Sequence, residues 1–247
     1  MIRVKRREFT GDVCEDIVYN VSDDSESLWR VEPRPRFESR EERDKFNAAV
    51  SLRRFTKIVN CFPPTSLYST LTLGPEDECH DFDEARQIIN AYIRVLKYHH
   101  TDVKLVVVMG RGKHTHRIHY HMVSDGVPAE ELIKYWKYGD PQRQRVEPLR
   151  AHNYYNGVDR GRDYASLAKY LHDHWTPEQG GRRRWKQTNN LNRPETEKPK
   201  TVKRKYTVEK PPRPPKGYKL VEARAGKYGF IYYRYVRIPP RDEKRRR

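Results

Sequence analysis

The chain has 247 residues, a formal charge of +17 and a hydrophobic share of 35 %, long enough for one good core and a smaller appendage. The charge is lopsided: residues 182–247 carry 23 Lys/Arg against 6 Asp/Glu, a net +17, while residues 1–181 carry 28 of each sign. Three scattered cysteines (Cys14, Cys61 and Cys79) exclude a disulfide framework or a cysteine-based zinc site, and the longest apolar run, residues 105–109, excludes a membrane span. A cytoplasmic protein with no membrane partner is expected.

Residues 1–44 are polar and mixed in charge and read as an arm or peripheral layer. A helix is expected over residues 42–59, stopped by Pro63-Pro64, and residues 67–73 alternate apolar and small polar side chains as a half-buried strand does. Asp81 and Glu84 have capping-box spacing, and Ala85, Ile88, Ile89, Tyr92, Ile93 and Leu96 then form one apolar helical stripe. Residues 103–109 read as a central strand, turned at Gly110-Arg-Gly112-Lys113 into a second strand containing His119-Tyr120-His121. Pro128 opens a helix to Trp136, a short strand follows around Val146, and a helix is expected over residues 163–175. Residues 182–216 are basic and proline-bearing and read as a linker, and residues 217–247 as a β-hairpin with a basic tail. The body, residues 45–181, therefore runs β-α-β-β-α-β-α. That order predicts an α+β domain, an antiparallel-rich central sheet with helices packed on it.

Successive side chains of a strand point to opposite faces, so His119 and His121 share one face while Ile118, Tyr120 and Met122 take the other. Imidazole suits divalent metals, and two imidazoles on rigid backbone supply most of a small metal site. The competing reading is a histidine-rich solvent face with no ligand. The basic tail, interleaved with Tyr206, Tyr218, Tyr228, Tyr232, Tyr233 and Tyr235, fits a polyanion with stackable bases, so DNA is the expected partner. Candidate DNA contacts are Arg182, Arg183, Arg184, Lys186, Lys203, Arg204 and Lys205, with Arg53, Arg54 and Lys57 on the first helix.

The strand ending Thr70-Leu71-Thr72, the His119-Tyr120-His121 strand after an amphipathic helix, and a later helix bearing tyrosines together resemble the HUH endonucleases. Within these the chain is most similar to the rolling-circle replication initiators of bacterial plasmids and phages, over residues 53–194. The resemblance implies a ferredoxin-like palm and a metal-assisted nick in single-stranded origin DNA, with Mg²⁺ or Mn²⁺ as cofactor and a tyrosine joined covalently to the new 5′ phosphate. It also implies a bacterial, mobile-element setting, with a host helicase as a candidate partner. Members often carry a carboxylate ligand ahead of the histidine pair; Gly110 stands near that place, which leaves His116, or else His114, for the third position. On the last helix Tyr164, Leu167, Ala168, Leu171 and Trp175 form the apolar face, while Tyr170 lies on its flank with Ser166 and His174. Tyr170 is thus the candidate nucleophile and Tyr164 the alternative, with Lys169 and His174 as electrostatic or proton-transfer helpers. Two-tyrosine members space their pair by four residues, and Ser166 occupies that interval here. A DNA-binding protein of the same fold without cleavage, or a related transposase or relaxase, is the rival reading.

Overall fold

A computed structural model describes residues 2–21, 37–112, 116–150, 152–176, 179, 184–226 and 230–238. In chain order the elements are β1 (Ile2–Thr10), β2 (Val13–Val21), α1 (Arg40–Asn60), β3 (Leu67–Thr72), α2 (Phe82–His99), β4 (Lys104–Arg111), β5 (Ile118–Asp125), α3 (Ala129–Lys134) and β6 (Arg145–Pro148). They continue with β7 (Tyr154–Tyr155), β8 (Val158–Asp159), α4 (Ala165–His172), β9 (Lys186–Gln187), β10 (Glu195–Thr196), β11 (Lys200–Thr201), β12 (Tyr218–Ala225) and β13 (Ile231–Arg237). The protein is α+β with antiparallel sheets, and among the described residues no helix is long and apolar enough to cross a membrane. The chain divides into two compact units: residues 52–150 with 164–192, and residues 1–51, 151–163 and 193–247.

The first of these units holds the histidines. Its five-stranded sheet runs β6-β3-β5-β4-β9, every pairing antiparallel. One face of the sheet meets α2: Ile118, Tyr120 and Met122 of β5 pack with Phe82, Ala85, Ile89, Ile93 and Leu96. The apolar stripe read from the sequence is therefore the buried face of this helix, and the Asp81 carboxylate caps it by accepting from the Asp83 amide at 2.9 Å. Buried polar tips find partners, as they must: the Tyr120 hydroxyl donates to Ala85 O at 3.0 Å and the Tyr92 hydroxyl to Leu132 O at 2.8 Å. The other face meets α4 and the last turns of α1, where Phe55, Val59, Val106, Val108, Val123, Tyr164, Ala168 and Leu171 form a second core.

The other unit corrects two expectations. Residues 2–21 are not a loose arm but a hairpin, turned at Gly11 with φ 58° and paired from Ile2↔Val21 to Thr10↔Val13. The C-terminal hairpin is not a separate appendage either: β13 pairs along β2, giving one sheet in the order β10-β1-β2-β13-β12, with β11 also on β1. The expected linker thus supplies two short strands to the β1 edge. The carboxylates buried in β2 are paired, one within the hairpin and one with a cation over two hundred residues away. Asp16 is fully buried and accepts from Arg7 Nε and Nη2, both at 2.7 Å. Glu15, 3 % exposed, accepts from Arg234 Nη1 at 2.8 Å and from the Tyr232 hydroxyl at 2.5 Å. Arg234 also holds Asp163 in a two-pronged pair, with Nε–Oδ2 at 2.7 Å.

Breaking a buried pair from one side strands the other charge. Arg234→Met should therefore destabilise this unit by about 3–5 kcal/mol in urea denaturation, because Glu15 and Asp163 lose their main cation. The triple change Arg234→Met with Glu15→Gln and Asp163→Asn should recover part of the loss. A single variant as stable as the parent would refute the assigned role of this cluster.

Candidate metal centre and its tyrosine

The site begins with the alternation of β5. His121 lies between Thr70 of β3 and Val108 of β4, and His119 between Thr72 and Gly110. Both imidazoles leave the sheet on the face opposite α2, with ring centroids 4.8 Å apart. α4 closes over that face. Tyr164 caps its start, 1 % exposed in the second core, its amide donating to Asn60 Oδ1 at 2.8 Å. The helix ends earlier than its apolar pattern suggests, at His172, and a tighter turn follows in which the His174 amide donates to Leu171 O at 3.2 Å.

That turn delivers the third imidazole. The His174 ring centroid lies 4.5 Å from that of His121 and 5.7 Å from that of His119. The ligating atoms of His119, His121 and His174 all fall within 4.8 Å of one another, so the three can hold a metal ion. His174, expected as a helper, is thus the third member, and His116, expected as the ligand, is not. His116 is exposed in the β4–β5 turn at φ 55°, its amide committed to Gly112 O at 2.9 Å. His114 lies outside the described residues.

Hydrogen bonds set which nitrogen of each ring is available. His174 Nδ1 sits 2.7 Å from Tyr170 O, an acceptor only, so Nδ1 carries the proton and Nε2 a lone pair. His121 Nδ1 contacts the Tyr68 hydroxyl at 2.7 Å and Thr70 Oγ1 at 3.2 Å, while its Nε2 is buried without a hydrogen-bond partner. A hydroxyl can accept from Nδ1–H, and then the orphaned Nε2 also presents a lone pair. Leaving a buried polar atom unsatisfied costs about 1–3 kcal/mol, which a bound cation removes. Burial, then the neighbouring His174 and His119, push His121 down to about 3; burial and His174 also lower His119. Both rings are held neutral, the form that ligates. The donor set fits a divalent metal.

Two residues that carry no ligand atom make the arrangement fit. A side chain on Gly110 would place Cβ 2.5 Å from His174 Cδ2 and 2.7 Å from His119 Nε2. The missing side chain on β4 is the space that His174 fills. Gln179, 3 % exposed, donates from Nε2 to His174 O at 2.8 Å and to Met109 O at 3.1 Å, tying the turn after α4 to β4. Nothing in its sequence surroundings marks Gln179, because its partners are backbone carbonyls 5 and 70 residues away.

Tyr170 stands at the rim. Its ring lies 4.5 Å from His174 and 5.4 Å from His121, and the residue is 51 % exposed. The flank position inferred from helical phase is therefore beside the imidazoles, and the apolar-face position of Tyr164 is core. Lys169 pairs with Asp173 one turn on. Arg53 and Arg54 are exposed on α1 and Lys57 half-buried. Arg184 lies over the Trp175 ring at 4.3 Å and donates to His172 Nε2 at 3.2 Å, and Lys186 is on β9. Lys203, Arg204 and Lys205 are exposed in the other unit; Arg182 and Arg183 lie outside the described residues.

Gly110→Ala should push His174 away from His119 and weaken Mn²⁺ or Co²⁺ binding in calorimetry by tenfold or more, the scale of lost ligand positioning, with little loss of fold. Binding equal to the parent would show that His174 does not depend on this gap. The depressed His121 carries a pH signature. Unfolded, it protonates near 6.5; folded, near 3. Its stabilisation is whole above about pH 6.5 and erodes below, by about 2 kcal/mol at pH 5 for the metal-free protein. Urea denaturation across pH 5–7 reads the slope, and an NMR titration placing His121 near 6.5 would remove its cause. Comparison with protein-family models, with curated proteins and with solved structures returns no match for this chain.

Proposed function

We propose that the protein is a metal-dependent, HUH-type single-strand DNA endonuclease and strand transferase that nicks and reseals origin DNA, as a rolling-circle replication initiator does. The observation that carries the reading is the convergence of His119, His121 and His174 beside the half-exposed Tyr170 on one face of an antiparallel sheet. A bound divalent ion would polarise a non-bridging phosphate oxygen and so offset charge that develops as the diester is attacked.

The chain's own residues do the rest. The hydroxyl of the half-exposed Tyr170 gives its proton to water as its oxygen bonds to phosphorus, and the bond to the 3′ oxygen breaks, that oxygen taking a proton from water to leave as a hydroxyl; the phosphotyrosine keeps the ester for the rejoining step. Tyr68 and Thr70 orient His121, and Gln179 fixes the turn that carries His174. The exposed cations of residues 193–224 supply sequence-independent grip on the backbone. Three imidazoles suit Mn²⁺ better than Mg²⁺, which prefers an oxygen-rich octahedral shell.

The test is a covalent adduct. With Mn²⁺ and single-stranded DNA from its own replicon, the protein should acquire a nucleotide on Tyr170, located by mass spectrometry. Tyr170→Phe should bind DNA as the parent does and form no adduct, while Tyr164→Phe should form it and lose only a hydrogen bond's worth of stability, about 0.5–1.5 kcal/mol. His121→Ala should lose the adduct and keep DNA affinity. A nucleotide on Tyr164 would move the nucleophile; no adduct on any tyrosine would leave the binding-only reading.

A further inference from the structure

The face of the histidine-bearing sheet that points away from the imidazoles carries a second cluster of cations. β9 pairs with the edge of β4, placing Lys186 opposite Val107. Val107 packs into the α2 core, so Lys186 rises on the α2 side. There its ammonium donates to the side-chain carbonyl of Asn90. Asn90, Arg94 and Lys97 recur at i, i+4 and i+7 and so line one face of α2, with Tyr98 one turn from Arg94. Arg94, Lys97, Tyr98 and Lys186 are all exposed, Tyr98 at 82 %. Among the described residues neither Arg94 nor Lys97 forms an ion pair, although Asp83 on the same helix is taken by Arg86. The Lys186 ammonium is pushed below its usual range by burial and by Lys97 and Arg94. Three cations close together without an acidic partner repel one another, a cost that an anion offsets. A large aromatic ring left in water beside them offers a surface that only a flat or apolar partner rewards.

We propose that Arg94, Lys97 and Lys186 form a second contact for single-stranded DNA, gripping its phosphates on the face of the sheet opposite His119, His121 and His174, with a base stacked on Tyr98. Such a site would hold a strand segment away from the one being cut. Cations spaced along a ridge match consecutive phosphates, and an exposed ring stacks on any base, so the contact requires no particular sequence.

The test is binding of the full chain to fluorescein-labelled dT30 by anisotropy, in chelator, over a salt series. The triple variant Arg94→Gln, Lys97→Gln, Lys186→Gln should shrink the slope of log affinity against log salt by about 2, at about 0.7 per phosphate contact on a single strand. Tyr98→Ala should weaken dT30 about tenfold with the slope unchanged, since stacking carries no counterion release. An unchanged slope in the triple variant overturns the proposal. A slope that falls equally on a 30-base-pair duplex, with Tyr98→Ala without effect, overturns the single-strand assignment. Chelator prevents metal-dependent nicking, so failure of the nuclease reading leaves this result intact, and the reverse.

Discussion

The two-residue period of β5 is the constraint on which the rest of the histidine-bearing unit depends. One strand has to serve a core and a site at once, and it can because alternate side chains never share a face. Ile118, Tyr120 and Met122 anchor it to α2, burying enough apolar surface to hold the strand rigid. His119 and His121 inherit that rigidity without contributing to it. A one-residue slip against β3 or β4 would exchange the two sets and put imidazoles into the α2 core, so the register that protects the core also protects the site.

The third imidazole comes from elsewhere, and the sheet leaves space at Gly110 to receive it. Gly110 sits opposite His119 in the β4–β5 ladder, where a side chain of any kind would collide with His174. A ligand on β4 and a ligand on the turn after α4 are therefore alternatives for one volume. The bare backbone at Gly110 and the presence of His174 are one feature seen from two sides. Gln179 and the Tyr170 carbonyl then fix His174 at its backbone and at Nδ1. A position just past a helix end is softer than one on a strand, and two hydrogen bonds stiffen it.

Much of this unit is legible in the sequence, because its signals are local. Period two at residues 67–73, the α2 stripe behind Asp81, and His-x-His within an apolar strand each lie within one element, and Tyr164 and Tyr170 separate by helical phase alone. Nearness in sequence points to His116, whereas the imidazoles that share the site in space are His119, His121 and His174. The backbone of His116 at φ 55° turns it out to solvent, while His174, more than fifty residues on, folds back. The other unit was illegible for a similar reason. β1 reads as polar because Arg3, Lys5, Arg6, Arg7 and Glu8 crowd it, and β2 because Glu15 and Asp16 sit among its apolar residues, where a buried carboxylate is plausible only with its cation known. Arg7 is visible nearby, but Arg234 is over two hundred residues away. Buried ion pairs between distant segments hide strands from any reading of composition.

The link between Tyr170 and His174 ties the rim of the site to its interior. The Tyr170 carbonyl accepts from His174 Nδ1, so the residue that carries the hydroxyl also orients the imidazole beside it. Neither can shift along the helix without disturbing the other. Tyr68 makes the matching connection on the sheet side, stacking on His121 at 5.9 Å while its hydroxyl meets Nδ1. Two tyrosines thus bracket three histidines, one fixed in the sheet and half-buried, the other at the rim and open to water. The open one leaves half its surface to solvent, and the fixed one commits its hydroxyl to His121 Nδ1. The difference in their surroundings follows from exposure, since both carry the same functional group.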